Sequence, residues 1–76
     1  MNSSYVAVRV LMSQDRMRNV EFFQRRDGTF GFQEWVFDVE DKAWRPRGYR
    51  THPFIDTLDH AISEASVRVS WLKAEG

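Results

Sequence analysis

Residues 19–50 decide the fold, and they read NVEFFQRRDGTFGFQEWVFDVEDKAWRPRGYR. Two aromatic-rich runs in this stretch flank the pair Asp27-Gly28. The pair favours a tight hairpin of type I′, because that turn requires positive φ at both central residues. A second reversal is expected at residues 40–43, and a third run, residues 44–50, then returns. The stretch therefore predicts an antiparallel meander.

A further strand is expected before the meander, at residues 5–12, because β-branched residues alternate there. In the third run of the meander, Pro46 cannot donate a hydrogen bond to a neighbouring strand, so this run is predicted to be an edge strand. One face of the first strand would carry Val6, Val8, Val10 and Met12.

The second run of the hairpin carries large apolar side chains at both parities. Phe32 and Val36 share one parity, whereas Trp35 and Phe37 share the other. Either a β-bulge near residues 31–34 rotates the chain, or both faces of the sheet are covered.

The C-terminal part predicts an amphipathic helix, with Thr57 as the N-cap and Asp56 as the alternative. We expect the helix to continue to about Leu72; a strand over residues 67–71 is the rival interpretation. The predicted fold class is α+β: an antiparallel meander of three to four strands, with one C-terminal helix packed on one face (β-β-β-β-α). The apolar stripe of the helix, spaced by three and four residues, consists of Leu58, Ala61, Ile62, Ala65, Val69 and Leu72.

Length and composition limit the classes of protein to which this chain could belong. Seventy-six residues predict a single domain over residues 1–76, with residues 1–4 disordered. Eleven basic residues balance eleven acidic ones, which argues against binding of nucleic acid mainly through phosphates. The absence of cysteine excludes disulfides and thiolate metal sites. No targeting or membrane-spanning segment is recognisable, so we expect a soluble, cytoplasmic protein without a membrane partner.

The aromatic content exceeds what one helix can cover. Six Phe, three Trp and two Tyr are present, and a single helix covers only one face of a four-stranded sheet. Loops could bury the other face; otherwise it is an exposed apolar patch of the kind that marks interfaces. The outer edge of the helix is a second candidate contact. We therefore predict a small non-enzymatic protein-interaction module that binds a protein partner or itself as a homodimer. Its candidate interface residues are Phe23, Trp35, Phe37, Val67 and Trp71.

An arginine and aromatic strip supports an alternative function, a nucleic-acid-binding module. Arginines can contact phosphates while aromatic rings stack on bases. Cross-strand salt bridges with acidic residues of the same meander would also explain the arginines. The candidate residues of the strip are Arg25, Arg26, Trp44, Arg45, Arg47, Tyr49 and Arg50.

No catalytic, metal or cofactor motif is recognisable. Asp56, His60 and Glu64 are spaced four apart along the helix, but a metal site would need a further ligand and an ordered second shell. The serines lie only in the polar tail, a loop and the helix, so no nucleophilic triad can be argued. We predict no enzymatic activity, no metal site and no cofactor.

The order of the motifs resembles a known plan. An Arg-Arg-Asp-Gly turn at residues 25–28 precedes alternating aromatics, a short third strand and a helix that opens IDTLDHA at residues 55–61. Over residues 20–72 this order resembles the three-strand-plus-helix plan of AP2-like and integrase arm-type DNA-binding modules. The resemblance implies DNA recognition through the sheet, and no individual functional residue is assigned from it. The same plan is typical of many small bacterial and phage domains.

Overall fold

The computed structural model describes residues 5–47 and 54–75. Within them, four strands form one antiparallel sheet in chain order, followed by two helices. The predicted α+β meander with a helical C-terminal region packed on the sheet is therefore confirmed. The expectation for residues 1–4 lies outside the described residues. The elements are β1 (Tyr5–Met12), β2 (Arg18–Arg25), β3 (Phe30–Asp38), β4 (Ala43–Arg47), α1 (Leu58–Arg68) and α2 (Ser70–Glu75).

In the hairpin between β2 and β3, the pair Arg25 and Thr29 closes a loop of three residues, 26–28, rather than a type I′ turn. The Arg25 N–H donates to the Thr29 carbonyl at 2.8 Å, and the Gly28 N–H donates to the Arg25 carbonyl at 3.0 Å. Only Gly28 needs the left-handed region, with φ of +92°, whereas φ of Asp27 is not positive. Asp27 acts through its carboxylate instead, which accepts from the Thr29 N–H at 3.0 Å and from the Thr29 hydroxyl at 2.6 Å.

A β-bulge in β1 changes which of its residues share a face. The register with β2 shifts between Ala7 and Arg9, because β1 contributes one additional residue there. The prediction that the three valines and Met12 share one face is therefore wrong. Val6 lies on one face of the sheet, and Val10 and Met12 lie on the other.

β3 contains no such bulge. Its register is continuous with β2 over residues 30–36 and with β4 over residues 34–38. The proposed bulge near residues 31–34 is therefore wrong, and the two parities of β3 simply supply apolar side chains to two faces. β4, which contains Pro46, pairs with β3 at one edge of the sheet, as predicted.

The helices pack on one side of the sheet, here called the covered face. Small side chains on α1, Ala61 and Ala65, are fully buried, so this helix lies close to the strands. Partly buried apolar residues, among them Leu11 and Leu58, surround the core. The core consists of Val20, Phe22, Phe32, Ile55, Ala61, Ala65, Val69 and Leu72.

The helical region begins as predicted but is interrupted. Thr57 is the N-cap, and its hydroxyl accepts from the His60 N–H at 3.1 Å. α1 ends at Arg68, Val69 is extended with φ of −107° and ψ of 101°, and α2 begins at the next residue. The expected continuous helix to Leu72 is therefore wrong, and so is the rival strand, because the chain is helical on both sides of Val69. In the described ranges, neither helix is long and apolar enough to cross a membrane.

Candidate interaction surface

The side of the sheet opposite the helices, here called the open face, carries an apolar patch. Strand parity puts Trp35 and Phe37 of β3 on this face, opposite in direction to the buried Phe32. β4 and β1 complete the patch, and no described element of the chain packs over it. The open patch consists of Val10, Met12, Trp35, Phe37 and Trp44.

The aromatic pair at the β4 side of the open patch is already packed. The rings of Phe37 and Trp44 meet edge to face, with centroids 5.3 Å apart and an interplanar angle of 66°, an arrangement favoured for aromatic pairs. Trp44 nevertheless remains 38% exposed, and Val10 on the other side of the patch remains 50% exposed. The patch is therefore held in place by the sheet while a large part of its apolar surface faces water.

A hollow of about 260 Å³ lies within the open patch. Two indole rings, those of Trp35 and Trp44, and the Val10 side chain supply its apolar lining, and Asn19 and Glu21 of β2 supply its polar lining. Glu21 is half-buried. Among the described residues, nothing forms a hydrogen bond or an ion pair with its carboxylate.

At the other end of the open face, the Arg25 side chain packs over two aromatic rings. The Arg25 guanidinium carbon lies 5.2 Å from the ring centroid of Phe23 and 4.9 Å from that of Phe54, within the range of cation–π attraction. Its Nη1 also donates to the Phe30 carbonyl at 2.9 Å. Phe23, a predicted interface residue, is buried, with 8% of its surface exposed. The predicted nucleic-acid residue Arg25 therefore contributes to packing at this end of the sheet.

The structure divides the predicted arginine and aromatic strip between the two faces. Trp44 lies on the open face, whereas Arg45 and Arg47 pair in register with Val36 and Glu34, whose side chains point toward the covered face. Arg26 is exposed in the hairpin loop. The two remaining candidates, Tyr49 and Arg50, lie outside the described residues.

Carboxylates accompany both arginines of β4. Arg45 forms salt bridges with Asp38, at 3.2 Å, and with Asp41, and the Arg47 Nε lies 3.9 Å from a Glu34 oxygen. Hydrogen bonds to Asp41 and then Asp38 raise the pKa of Arg45. The pKa of Asp38 is lowered, first by the Asp41 N–H and then by Arg45. Arg45 and Arg47 thus take part in the cross-strand salt bridges that the sequence predicted as another explanation for the arginines, and Arg45 also pairs with Asp41 in the turn.

The two predicted interface residues on the helix edge, Val67 and Trp71, differ in their exposure. Val67 is 82% exposed on α1. Trp71 is half-buried against the core, and its indole Nε1 donates to a Glu34 carboxylate oxygen of β3 at 3.0 Å. Val67 and Trp71 therefore do not form one surface.

The acidic and histidine residues of the helix start form local pairs. His60 Nδ1 lies 2.7 Å from an Asp56 carboxylate oxygen, and Glu64 pairs with Arg68 at 3.5 Å. Within residues 5–47 and 54–75, no group of three or more His, Cys, Asp or Glu side chains could hold a metal ion.

Two residues of the open patch, Trp35 and Phe37, are among the predicted interface residues, and Trp44 is among the predicted nucleic-acid residues. Val10 and Met12 were not predicted, because the bulge in β1 decides on which face of the sheet they lie. Asn19 and Glu21, the polar lining of the hollow, were not predicted either. Their signal was present in the alternation of β2, where Asn19 and Glu21 have the opposite parity to the buried Val20 and Phe22.

Comparisons with protein-family models, curated proteins and solved structures found no match to this chain. The resemblance of residues 20–72 to AP2-like and integrase arm-type modules therefore stays a prediction.

Proposed function

We propose that this chain is a small non-enzymatic protein-interaction module that binds a partner protein through the open patch. The observation that supports it is a set of five partly exposed apolar side chains on one sheet face, three of which, Val10, Trp35 and Trp44, line the same hollow. Water solvates such a patch unfavourably, and patches of this kind are typical of interaction sites. The core lies on the covered face, so the fold does not need the apolar side chains of the open patch to form its core.

The size of the open face favours a transient complex. The strands have 8, 8, 9 and 5 residues, and at a spacing of about 4.8 Å they give a face of roughly 20 by 25 Å. A partner covering it would bury about 1,000 Å² in total over both proteins, which is below the range of stable specific interfaces and typical of weak, reversible ones.

The aromatic residues are expected to supply most of the binding energy. Trp is enriched among the residues that dominate interfaces. Trp44 already packs against Phe37, so little side-chain entropy is lost when a partner covers it. We expect Trp44→Ala to weaken binding by about 2 kcal/mol, which is close to thirtyfold.

A second copy of the chain is a less favourable occupant. Two open faces packed together would bring two Glu21 carboxylates into an apolar interface, and burial of charges without partners is costly. The arginine of the same face, Arg25, is already held between Phe23 and Phe54. We therefore assign the open patch to a different protein rather than to a homodimer.

A matched pair of valines on β1 tests the proposal. Val10 and Val6 are exposed by 50% and 67%, lie on the same edge strand and point to opposite faces. The same substitution at the two positions therefore adds the same charge and has a similar effect on strand formation. Peptides selected from a random display library on the immobilised full chain would be measured by calorimetry against the wild type, V10E and V6E.

We expect the selected peptides to bind the wild type and V6E equally and to lose at least tenfold in affinity for V10E, since Glu at position 10 places a charge in the open patch. Equal binding to both variants, or no enriched peptide, would overturn the proposal. Light scattering across a dilution series should show a monomer. A dimer that V10E dissociates and V6E does not would assign the open patch to a second copy instead.

A further inference from the structure

We infer that the hollow in the open patch is a subsite for an organic cation, the side chain of a lysine or arginine in the partner protein. The inference rests on the proposed function, because it specifies the chemistry of the same partner. Three features of the hollow carry it: its indole lining, its carboxylate and its size.

The indole lining favours a cation. The rings of Trp35 and Trp44 both border the hollow, and Trp attracts a cation more strongly than any other aromatic side chain. A cationic group is attracted when it lies within about 6 Å of the ring centroid, and aromatic cages for alkylammonium groups use the same physics. The methyl groups of Val10 would contact the aliphatic part of an incoming side chain.

The carboxylate of Glu21 supplies the complementary charge. In the register its neighbours are Val10 on β1 and Gln33 on β3, both uncharged. Glu21 is half-buried and has no ion pair among the described residues, so a bound ammonium or guanidinium group would form a charge-assisted hydrogen bond with it. The Asn19 side-chain oxygen is an additional acceptor in the same lining, suitable for a second N–H of that group.

The size of the hollow favours a side chain over a larger ligand. Its volume of about 260 Å³ lies just below the range of roughly 300–1,000 Å³ that is usual for small-molecule sites. An anionic ligand would be repelled by Glu21, and a purely apolar one would leave the carboxylate desolvated and without a partner.

Indole signals in NMR spectra give a test with an internal reference. The full chain would be titrated with the methylamides of Nα-acetyl-arginine and Nα-acetyl-lysine, and separately with that of Nα-acetyl-norleucine, which keeps the apolar stem without the charge. We expect saturable shifts of the Trp35 and Trp44 indole N–H signals with the two cationic probes only. Trp71 should not respond, because its N–H is bonded to Glu34 on the covered face. Equal shifts with the norleucine probe would overturn the inference.

A pair of isosteric variants isolates the charge. E21Q keeps the shape of the hollow and removes its carboxylate, so binding of the cationic probes should weaken by about tenfold or more. E64Q makes the same change on the exposed surface of α1 and should leave binding unchanged. Binding of the cationic probes to E21Q with wild-type affinity would overturn the inference.

Failure of the cation site and failure of the proposed function give different results. If the arginine probe shifts Trp35 and Trp44 but no peptide distinguishes V10E from V6E, the cation site stands and the protein-binding proposal is overturned. If V10E abolishes peptide binding while the selected peptides contain no enriched Lys or Arg and bind E21Q normally, the protein-binding proposal stands and the cation site is overturned.

Discussion

The covered face and the open face of the sheet receive alternate residues of the same strands, yet their aromatic side chains have different surroundings. On the covered face, the ring of Phe22 is fully buried, and its centroid lies 6.1 Å from that of Phe32. On the open face, Phe37 and Trp44 pack against each other at 5.3 Å, but Trp44 remains partly exposed. Pairing between neighbouring aromatics therefore does not distinguish the two faces; coverage by α1 does.

Two glutamates on adjacent strands show the same difference between the faces, because only one of the two carboxylates has partners. Glu34 points to the covered face, where Trp71 donates to it at 3.0 Å and Arg47 lies 3.9 Å away. Glu21 points to the open face and has no hydrogen bond or ion pair with any described residue. The first carboxylate fastens a helix to the sheet, whereas the second is available to a ligand. The contrast predicts that changes on the covered face alter stability, whereas changes in the open patch alter binding.

The largest effect is expected for Phe22→Ala. Removing a fully buried aromatic ring leaves a cavity beside Phe32 and should lower the free energy of unfolding by about 3–5 kcal/mol. That is most of the stability expected for a domain of this size. Urea unfolding followed by circular dichroism would measure it. Trp44→Ala is the control on the open face and should cost about 1 kcal/mol or less. An equal loss for the two variants would show that the open patch belongs to the core.

The next largest effect is expected for Gly31→Ala, at the end of the open face where Arg25 packs. A Cβ at this position would lie 2.6 Å from the Arg25 Nη2 and 2.8 Å from the Phe23 ring. Both side chains would have to move, at a cost of about 1–3 kcal/mol in the free energy of unfolding. Shifted Phe23 ring signals in NMR spectra would accompany the loss.

Gly28→Ala is the comparison for that prediction. Nothing lies within 4 Å of a Cβ added there, so its cost comes from the positive φ alone, about 1 kcal/mol. It should leave the Phe23 ring signals unchanged. If Gly31→Ala also left them unchanged, the close packing of Phe23 and Arg25 over the glycine would be contradicted.

A smaller effect is expected from the hydrogen bond between Trp71 and Glu34. Trp71→Phe and Glu34→Ala each remove one partner of this hydrogen bond, and a double-mutant cycle that combines them should give a coupling of about 1 kcal/mol in the free energy of unfolding. Val67→Ala paired with Glu34→Ala is the control cycle, since Val67 is exposed on the outer side of α1, and it should give no coupling. A Trp71 cycle without coupling would contradict the role of Glu34 in fastening α2.

Features that local chemistry determines could be predicted from the sequence. The reversal at Asp27-Gly28 and the N-cap at Thr57 both depend on side chains within three residues of the turn or helix start. The helical stripe needs only the spacing of apolar residues. Alternation gave Trp35 and Phe37 a parity opposite to that of Phe32, although a bulge between them stayed the alternative. The α+β meander follows from these signals taken together.

Features that depend on distant parts of the chain could not be predicted in this way. Neither the bulge near Val8 nor the interruption at Val69 is marked by a Gly or Pro in its own segment. The faces of Arg45 and Arg47 depend on the register between β3 and β4. The isolation of Glu21 is a property of its neighbours on β1 and β3, so no motif in its own strand could reveal it.

The smallest effect is expected at the start of α1, on neither face of the sheet. The hydrogen bond to Asp56 and then its negative charge raise the pKa of His60 above 6.5, and the same hydrogen bond lowers the pKa of Asp56 below 3.8. The stabilisation from His60 is complete below pH 6.5 and is lost as the pH rises through its folded pKa. That from Asp56 is complete above pH 3.8 and is lost as the pH falls through its folded pKa. The pair should therefore stabilise the helix start most between pH 3.8 and 6.5.

Both side chains of this pair are exposed, so the pKa of His60 is a more sensitive readout than the stability of the whole domain. An NMR titration of the His60 ring should give a pKa above 6.5 in the wild type and a value closer to 6.5 in Asp56→Asn. Glu64→Gln is the matched control and should lower the pKa less, since Glu64 acts on His60 only through its charge and more weakly than Asp56. Equal pKa values for His60 in the wild type and Asp56→Asn would contradict the pairing.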